Sequence, residues 1–230
     1  MRIDIITGFP GILEEPLQQS IIKKGREAGA VSITVHNLRD YADDRHKTID
    51  DYPYGGGPGM VLKVEPFDRC LQKIAGENDL NAARIMMMTP RGRTFDQKKA
   101  TELSLDEHLI FLCGHYKGVD ERLYSLYKIE DVSIGDFVLS SGEIAALVIT
   151  DSIVRLLPNV LKDIDSAWSD SFQEGWLDAP YYTRPETYRH LRVPEVLTSG
   201  HHERIENWRN EKRMELTKKL RPDLLKKINE

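Results

Sequence analysis

Ile85-Met86-Met87-Met88-Thr89 running into Pro90-Arg91-Gly92, and Leu109-Ile110-Phe111-Leu112-Cys113 running into Gly114-His115-Tyr116-Lys117-Gly118, decide the fold class. Neither apolar run alternates with polar residues, so both read as strands covered on two faces, the pattern of a parallel sheet between helices. Phe95 to Leu105 between them has helical spacing. Upstream, Ile3 to Thr7 and the β-branched stretch Val31 to His36 read as strands, joined by a helical stretch reaching about Lys24. The class is α/β. A third run, Val132 to Leu139, contains Gly135 and leads into Ser140-Ser141-Gly142-Glu143. Three glycine-bearing exits on one edge of a parallel sheet make a ligand crevice, because a missing Cβ lets backbone approach a bound molecule.

Beyond this half, Ile144 to Leu157 is apolar almost all round and is closed by Pro158, so it is either a core helix or a subunit interface. Residues 161–180 carry five acids against one lysine and read as a linker, with Asp170 between the aromatics Trp168, Phe172 and Trp176. Desolvation by such neighbours suits a carboxylate to general-base work. Arg155 requires an anionic partner, and Asp151 one helical turn earlier can supply it as a structural ion pair. After Pro185 the chain reads as helical. From His201 to Glu230 nine Lys or Arg stand against six Asp or Glu, a basic tail on a chain of net charge −5.

Other classes are excluded or disfavoured. At 230 residues, 40% hydrophobic and 30% charged, the chain builds a sizeable core and has no apolar run long enough to span a bilayer. Two separated cysteines, Cys70 and Cys113, and the absence of a leader pattern at Met1 point to a reducing cytoplasm. The seven histidines are scattered and give no metal set. Tyr54-Gly55-Gly56-Gly57-Pro58-Gly59-Met60 lacks the Lys-Ser/Thr of a P-loop, and no Gly-x-Ser-x-Gly elbow is present. Asp43-Asp44-Arg45-His46-Lys47 reads as a solvated turn.

Several stretches together resemble the bacterial tRNA (guanine-N1)-methyltransferases, the TrmD family of the SPOUT superfamily. They are Asp44 to Asp51, Pro53 to Met60, Thr89 to Arg93, Cys113 to Arg122, Ser133 to Ser140, Asp170 to Phe172 and Tyr182 to Glu186. They follow the family's order and cover nearly the whole chain. The resemblance implies a deep trefoil knot, where topology rules alone give an unthreaded sheet. It implies a knotted S-adenosylmethionine-binding domain over 1–160, a flexible linker over 161–169 and a helical tRNA-binding domain over 170–230. The expected donor-binding residues are Pro90, Gly114, Tyr116, Ile134, Gly135, Asp136, Phe137, Val138, Leu139 and Gly142.

The resemblance further implies a homodimer with a shared active site, Asp170 as base, Arg155 stabilising the guanine oxygen, and methyl transfer to ring nitrogen 1 of guanosine 37, 3′ of the anticodon. Tyr116 and Trp168 are candidates to stack on that base. The family uses Mg2+, yet Lys117 stands where it often has an acid, and Ser141 replaces a common glycine; Asp178 matches another acid of the family site. Two alternatives remain open at this point: a donor-sensing RNA-binding module, and a relative that methylates ribose.

Overall fold

Five strands supply the frame on which everything else hangs: β1 (Arg2–Thr7), β2 (Ser32–Asn37), β5 (Arg84–Thr94), β6 (His108–Cys113) and β7 (Ile129–Ser133). All are parallel, in the order β2-β1-β6-β5-β7. The computed structural model describes residues 1–77, 79–80, 82–161 and 170–227. The chain divides into two compact units, Met1–Ile164 and Asp165–Glu230, and the expected linker at 161–169 lies, except for residue 161, outside the described residues.

Both faces of the sheet are covered, as the unbroken apolar runs require. Every residue of β6 is buried. On one face Ile3, Ile5, Phe111 and Met88 pack with Ala146, Ile149 and Ile153 of α6 (Glu143–Val154). On the other face Ile6, Ile110 and Leu112 pack with Phe67, Leu71 and Ile74 of α3 (Val64–Glu77). Two short helices, α1 (Gly11–Glu14) and α2 (Ser20–Glu27), flank a 3-10 turn at Pro16–Gln18, so proline breaks the single helix expected there. Short strands β3 (Asp50–Asp51) and β4 (Val61–Leu62) pair antiparallel around the Gly55–Gly59 loop. Helix α4 (Gln97–Leu103) is capped by Asp96, whose side chain accepts from Lys99 N at 2.9 Å, and α5 (Leu123–Leu126) precedes β7.

Two expectations are corrected. Pro90-Arg91-Gly92 is a bulge inside β5 and not its exit, because the register shifts between Met88 and Arg93 before Arg93 rejoins Val132. The run Val132 to Leu139 is not one buried strand. It leaves the sheet after Ser133, turns at Gly135 with φ of 148°, and exposes residues 136–140.

In the second unit, residues 170–181 form turns and irregular backbone, followed by a two-stranded hairpin of β8 (Thr187–Tyr188) and β9 (Leu191–Arg192). Helices α7 (Glu195–Thr198), α8 (His202–Leu220) and α9 (Pro222–Lys227) complete it. The helix expected directly after Pro185 is therefore delayed by the hairpin. No helix among the described residues is long and apolar enough to cross a membrane.

A buried charge cluster ties β1 to its neighbours. Asp4 has no exposed surface and accepts from Arg2 Nε at 2.6 Å, His36 Nε2 at 2.7 Å and His108 Nε2 at 2.7 Å. Burial alone would raise this carboxyl, but the hydrogen bonds from His36, Arg2 and His108 override it and hold the group well below the usual carboxylate range. Asp4→Asn is expected to cost about 3–5 kcal/mol, since it removes the buried carboxylate that accepts from Arg2, His36 and His108 and breaks its pair with the Arg2 guanidinium. The folded-state value is depressed, so the stabilisation is present above about pH 4 and is lost as pH falls below it. Denaturant melts of both proteins should stay apart from pH 8 down to about 4 and converge in stronger acid.

Candidate active site

Where the β5 bulge meets the C-terminal ends of β6 and β7, the bulge and the segments that follow β6 and β7 enclose a cavity of about 450 Å3. Pro90 comes from the β5 bulge, and Gly114 and Tyr116 from the β6 exit. Ile134, Gly135, Phe137, Val138, Leu139 and Gly142 come from the segment between β7 and α6. All nine line the cavity; Asp136 is exposed and is not among the lining residues.

Two of these segments are tied together by backbone. Gly142 N donates to Gly114 O at 2.8 Å, and His115 pairs antiparallel with Ser141. A Cβ at Gly142 would stand 2.9 Å from both Cys113 Cα and Met88 Cβ, so glycine there permits an approach that no side chain allows. Ser141 has no positive φ and is accommodated in place of a second glycine. Tyr116 is a non-glycine residue in the left-handed region, φ 56°, half-exposed against the ring of His115 at 4.3 Å. The cavity thus combines glycines with apolar side chains such as Ile134, Phe137, Val138 and Leu139, a surface suited to a partly apolar small ligand.

Sequence reasoning missed part of the wall. Arg91, Glu121 and Tyr124 also line the cavity. Arg91 donates to Asp131 at 2.7 Å and to Glu121 at 3.1 Å, and its guanidinium lies 4.4 Å over the Tyr124 ring. Tyr124 OH donates to Asp131 at 2.6 Å. Burial and the Asp131 carboxylate raise the Tyr124 hydroxyl well above its ordinary value, so it stays protonated as a donor. No local spacing links Arg91 to Asp131; only the pairing of β5 with β7 brings them together.

Lys117 also lines the cavity, its stem lying against Gly59 of the glycine loop. Lys117 N donates to Met60 O at 3.1 Å, and Leu62 N donates to Gly118 O at 2.9 Å, so that loop is docked on the β6 exit. In the turn before it, Asp44 accepts from His46 N and Thr48 N. No group of three His, Cys, Asp or Glu side chains among the described residues is placed to hold a metal ion, and Lys117 adds an ammonium at the cavity. These residues do not fit a divalent-cation site.

Arg155 is the half-buried C-cap of α6, the helix whose N-terminus abuts the cavity, and its backbone N donates to Asp151 O at 3.2 Å. Asp170 belongs to the second unit. It is half-buried at the start of a turn in which Gln173 N donates to its carbonyl at 3.4 Å. Trp168 lies outside the described residues. Nearby in the same unit, Asp178 accepts from Tyr181 OH at 2.6 Å and from Ala179 N at 2.7 Å, while Asp178 N donates to Ser171 Oγ at 2.9 Å.

Comparison with known proteins agrees over the full length. A chain named tRNA (guanine-N(1)-)-methyltransferase from Christiangramia forsetii is 52% identical over 225 residues, covering 98% of this chain and 99% of that protein. The like-named protein of Geobacter sulfurreducens is 50% identical over 227 residues, covering 99% and 92%. That of Halalkalibacterium halodurans is 49% identical over 225 residues, covering 98% and 91%. The family described as tRNA (Guanine-1)-methyltransferase TrmD matches residues 1–227. With its sheet, its backbone-tied cavity and this match along nearly every residue, the chain belongs to the tRNA (guanine-1)-methyltransferase family.

Proposed function

We infer that this chain is a cytoplasmic S-adenosylmethionine-dependent methyltransferase that methylates ring nitrogen 1 of guanosine 37 in tRNA. The observation that carries the reading is the cavity itself: residues expected from the motifs to hold the donor converge on one pocket from the β5 bulge and from the ends of β6 and β7. A trefoil knot accounts for the backbone contacts. The chain leaves β7 at one edge of the sheet and returns to pair with the β6 exit at Ser141–Gly142. Before it leaves β7, its Asp131–Val132 backbone lies against the β5 bulge, where glycine at position 92 permits the approach.

The chemistry requires a base and a cation. Ring nitrogen 1 of guanine carries a proton, so it becomes nucleophilic only when that proton is removed as charge builds on the neighbouring oxygen. Asp170 accepts the proton and Arg155 faces the developing charge as a fixed guanidinium. The donor supplies its own leaving group, so no covalent enzyme intermediate is needed. The two residues lie in different units of the chain, which suits a site completed by closure on the substrate, and by a second subunit.

A homodimer is supported by exposed apolar side chains on the segment that walls the cavity and on the helix after it, Phe137, Val138, Ile144 and Val148. For tRNA, the second unit offers the exposed hairpin with Arg189, Arg184 before it, and Lys218 and Lys219 at the end of α8, while Arg192 of the hairpin is paired with Glu186. Other basic residues of α8 are engaged with acids, Arg209 with Glu206 and Lys212 with Glu215, so the electrostatic footprint is narrower than the count of basic residues suggests.

Purified protein, unmodified tRNA and methyl-labelled donor test the reading. Mass mapping should place one methyl group on the guanine base at position 37. Label on ribose would convert the reading to a sugar methyltransferase, and donor binding without transfer would reduce the protein to a binding module.

A further inference from the structure

Glu143 is the least expected residue in the first unit. It opens α6, has no exposed surface, and is a carboxylate among the apolar residues of the core. Its Oε1 accepts a hydrogen bond from Thr7 Oγ1, while its Oε2 is buried with no hydrogen-bond partner among the described residues. A carboxylate at a helix N-terminus is favoured by the helix dipole, but that does not satisfy the second oxygen. A second buried polar atom is equally orphaned: Nδ1 of His115, a residue that lines the cavity. Buried polar atoms are satisfied in all but a few cases, so two such atoms in one neighbourhood call for a common explanation.

They lie on one closed circuit of contacts. Glu143 meets Thr7; Thr7 Oγ1 accepts from Phe9 N at 2.8 Å; the Phe9 ring lies 4.4 Å from the His115 ring; His115 pairs with Ser141; and Ser141 and Gly142 lead back to Glu143. Cys113 sits within the circuit, its thiol pushed well up by burial and, in addition, by the charge of Glu143. His115 is clamped between Phe9 and Tyr116 and is one of the residues lining the cavity.

We propose that Glu143 and His115 act as one positioning pair, Nδ1 of His115 donating to Oε2 of Glu143 through a bridging water, so that Thr7, Glu143 and His115 hold the β6 exit and the 141–142 backbone in donor-binding register. One water with these two partners satisfies both orphans. The pair touches neither the nucleobase nor the methyl group in this assignment. Its effect is on the affinity for the methyl donor and not on the chemical step, and to that extent it rests on the function proposed above.

The link itself is tested in the ligand-free protein, independently of methyl transfer. In histidine-labelled wild-type protein, His115 should show one Nδ1–H resonance protected from solvent exchange and displaced by Glu143→Gln. A freely exchanging ring indifferent to that substitution overturns the pair. For the consequence, Glu143→Gln and His115→Phe should each raise the donor dissociation constant about tenfold, the scale of one hydrogen bond to a charged group. The double variant should be no worse than about tenfold, and turnover at saturating donor should change by less than about threefold. His115→Asn, whose amide can replace Nδ1, should recover most of the affinity lost in His115→Phe. Losses that multiply in the double variant, or no recovery with asparagine, overturn the assignment. If wild-type protein shows the protected resonance but binds no donor, the pair stands and the proposed function falls.

Discussion

Asp170→Ala should lower the rate of methyl transfer by about 10²–10⁴-fold while leaving donor affinity essentially unchanged, because a positioned general base contributes on that order and the donor cavity is built without it. The cavity lies wholly in the first unit and Asp170 in the second. Calorimetric titration of the donor and single-turnover transfer to tRNA therefore report on different parts of the chain. Asp170→Asn keeps the shape and removes the basicity, and should be impaired to a similar degree. Near-normal transfer by either variant removes Asp170 from the role of base. A loss of donor binding equal to the loss of rate would instead place the residue in the donor site.

The second large effect is expected at Gly142. Its Cβ position lies 2.9 Å from Cys113 Cα and 3.0 Å from Gly114 N. Gly142→Ala must therefore push backbone apart where the two loops are hydrogen-bonded. Overpacking of this kind costs about 1–3 kcal/mol, which corresponds to roughly ten- to hundredfold in donor affinity if the strain is expressed there. Gly114→Ala supplies the contrast, since the nearest atom to its Cβ position is 3.8 Å away. That substitution should leave the melting temperature unchanged and weaken the donor only through direct contact with it. If Gly142→Ala is as stable and as well saturated by donor as wild type, the tie between the 114 and 142 loops is not what shapes the cavity.

Much of the fold was legible because local chemistry and global placement agree. The unbroken apolar runs in β5 and β6 can only be buried on two faces, and α6, apolar almost all round, forms the floor of one of them. The β7 exit was misread for an instructive reason: Val132, Ile134, Phe137, Val138 and Leu139 are apolar, yet residues 136–140 are exposed. Hydrophobicity in that stretch serves a cavity wall and an exposed apolar surface, and composition cannot separate those uses from a core strand. The hairpin at residues 187–192 was hidden for a related reason, since two-residue strands carry no period to detect.

By itself the sequence determined that the chain is α/β and that β6 and β7 lead into glycine-bearing segments, and its motifs supplied the expectation of which residues meet a donor. These are properties of short windows, set by side-chain period and by where a Cβ is missing. Only the tertiary structure decided that Pro90, Gly114 and Gly142 share one wall, that Arg91 meets Asp131, and that Thr7, Glu143 and His115 close one circuit. Each of those contacts joins residues tens of positions apart. They exist because a parallel sheet orders its strands β2-β1-β6-β5-β7, an order that no local preference encodes.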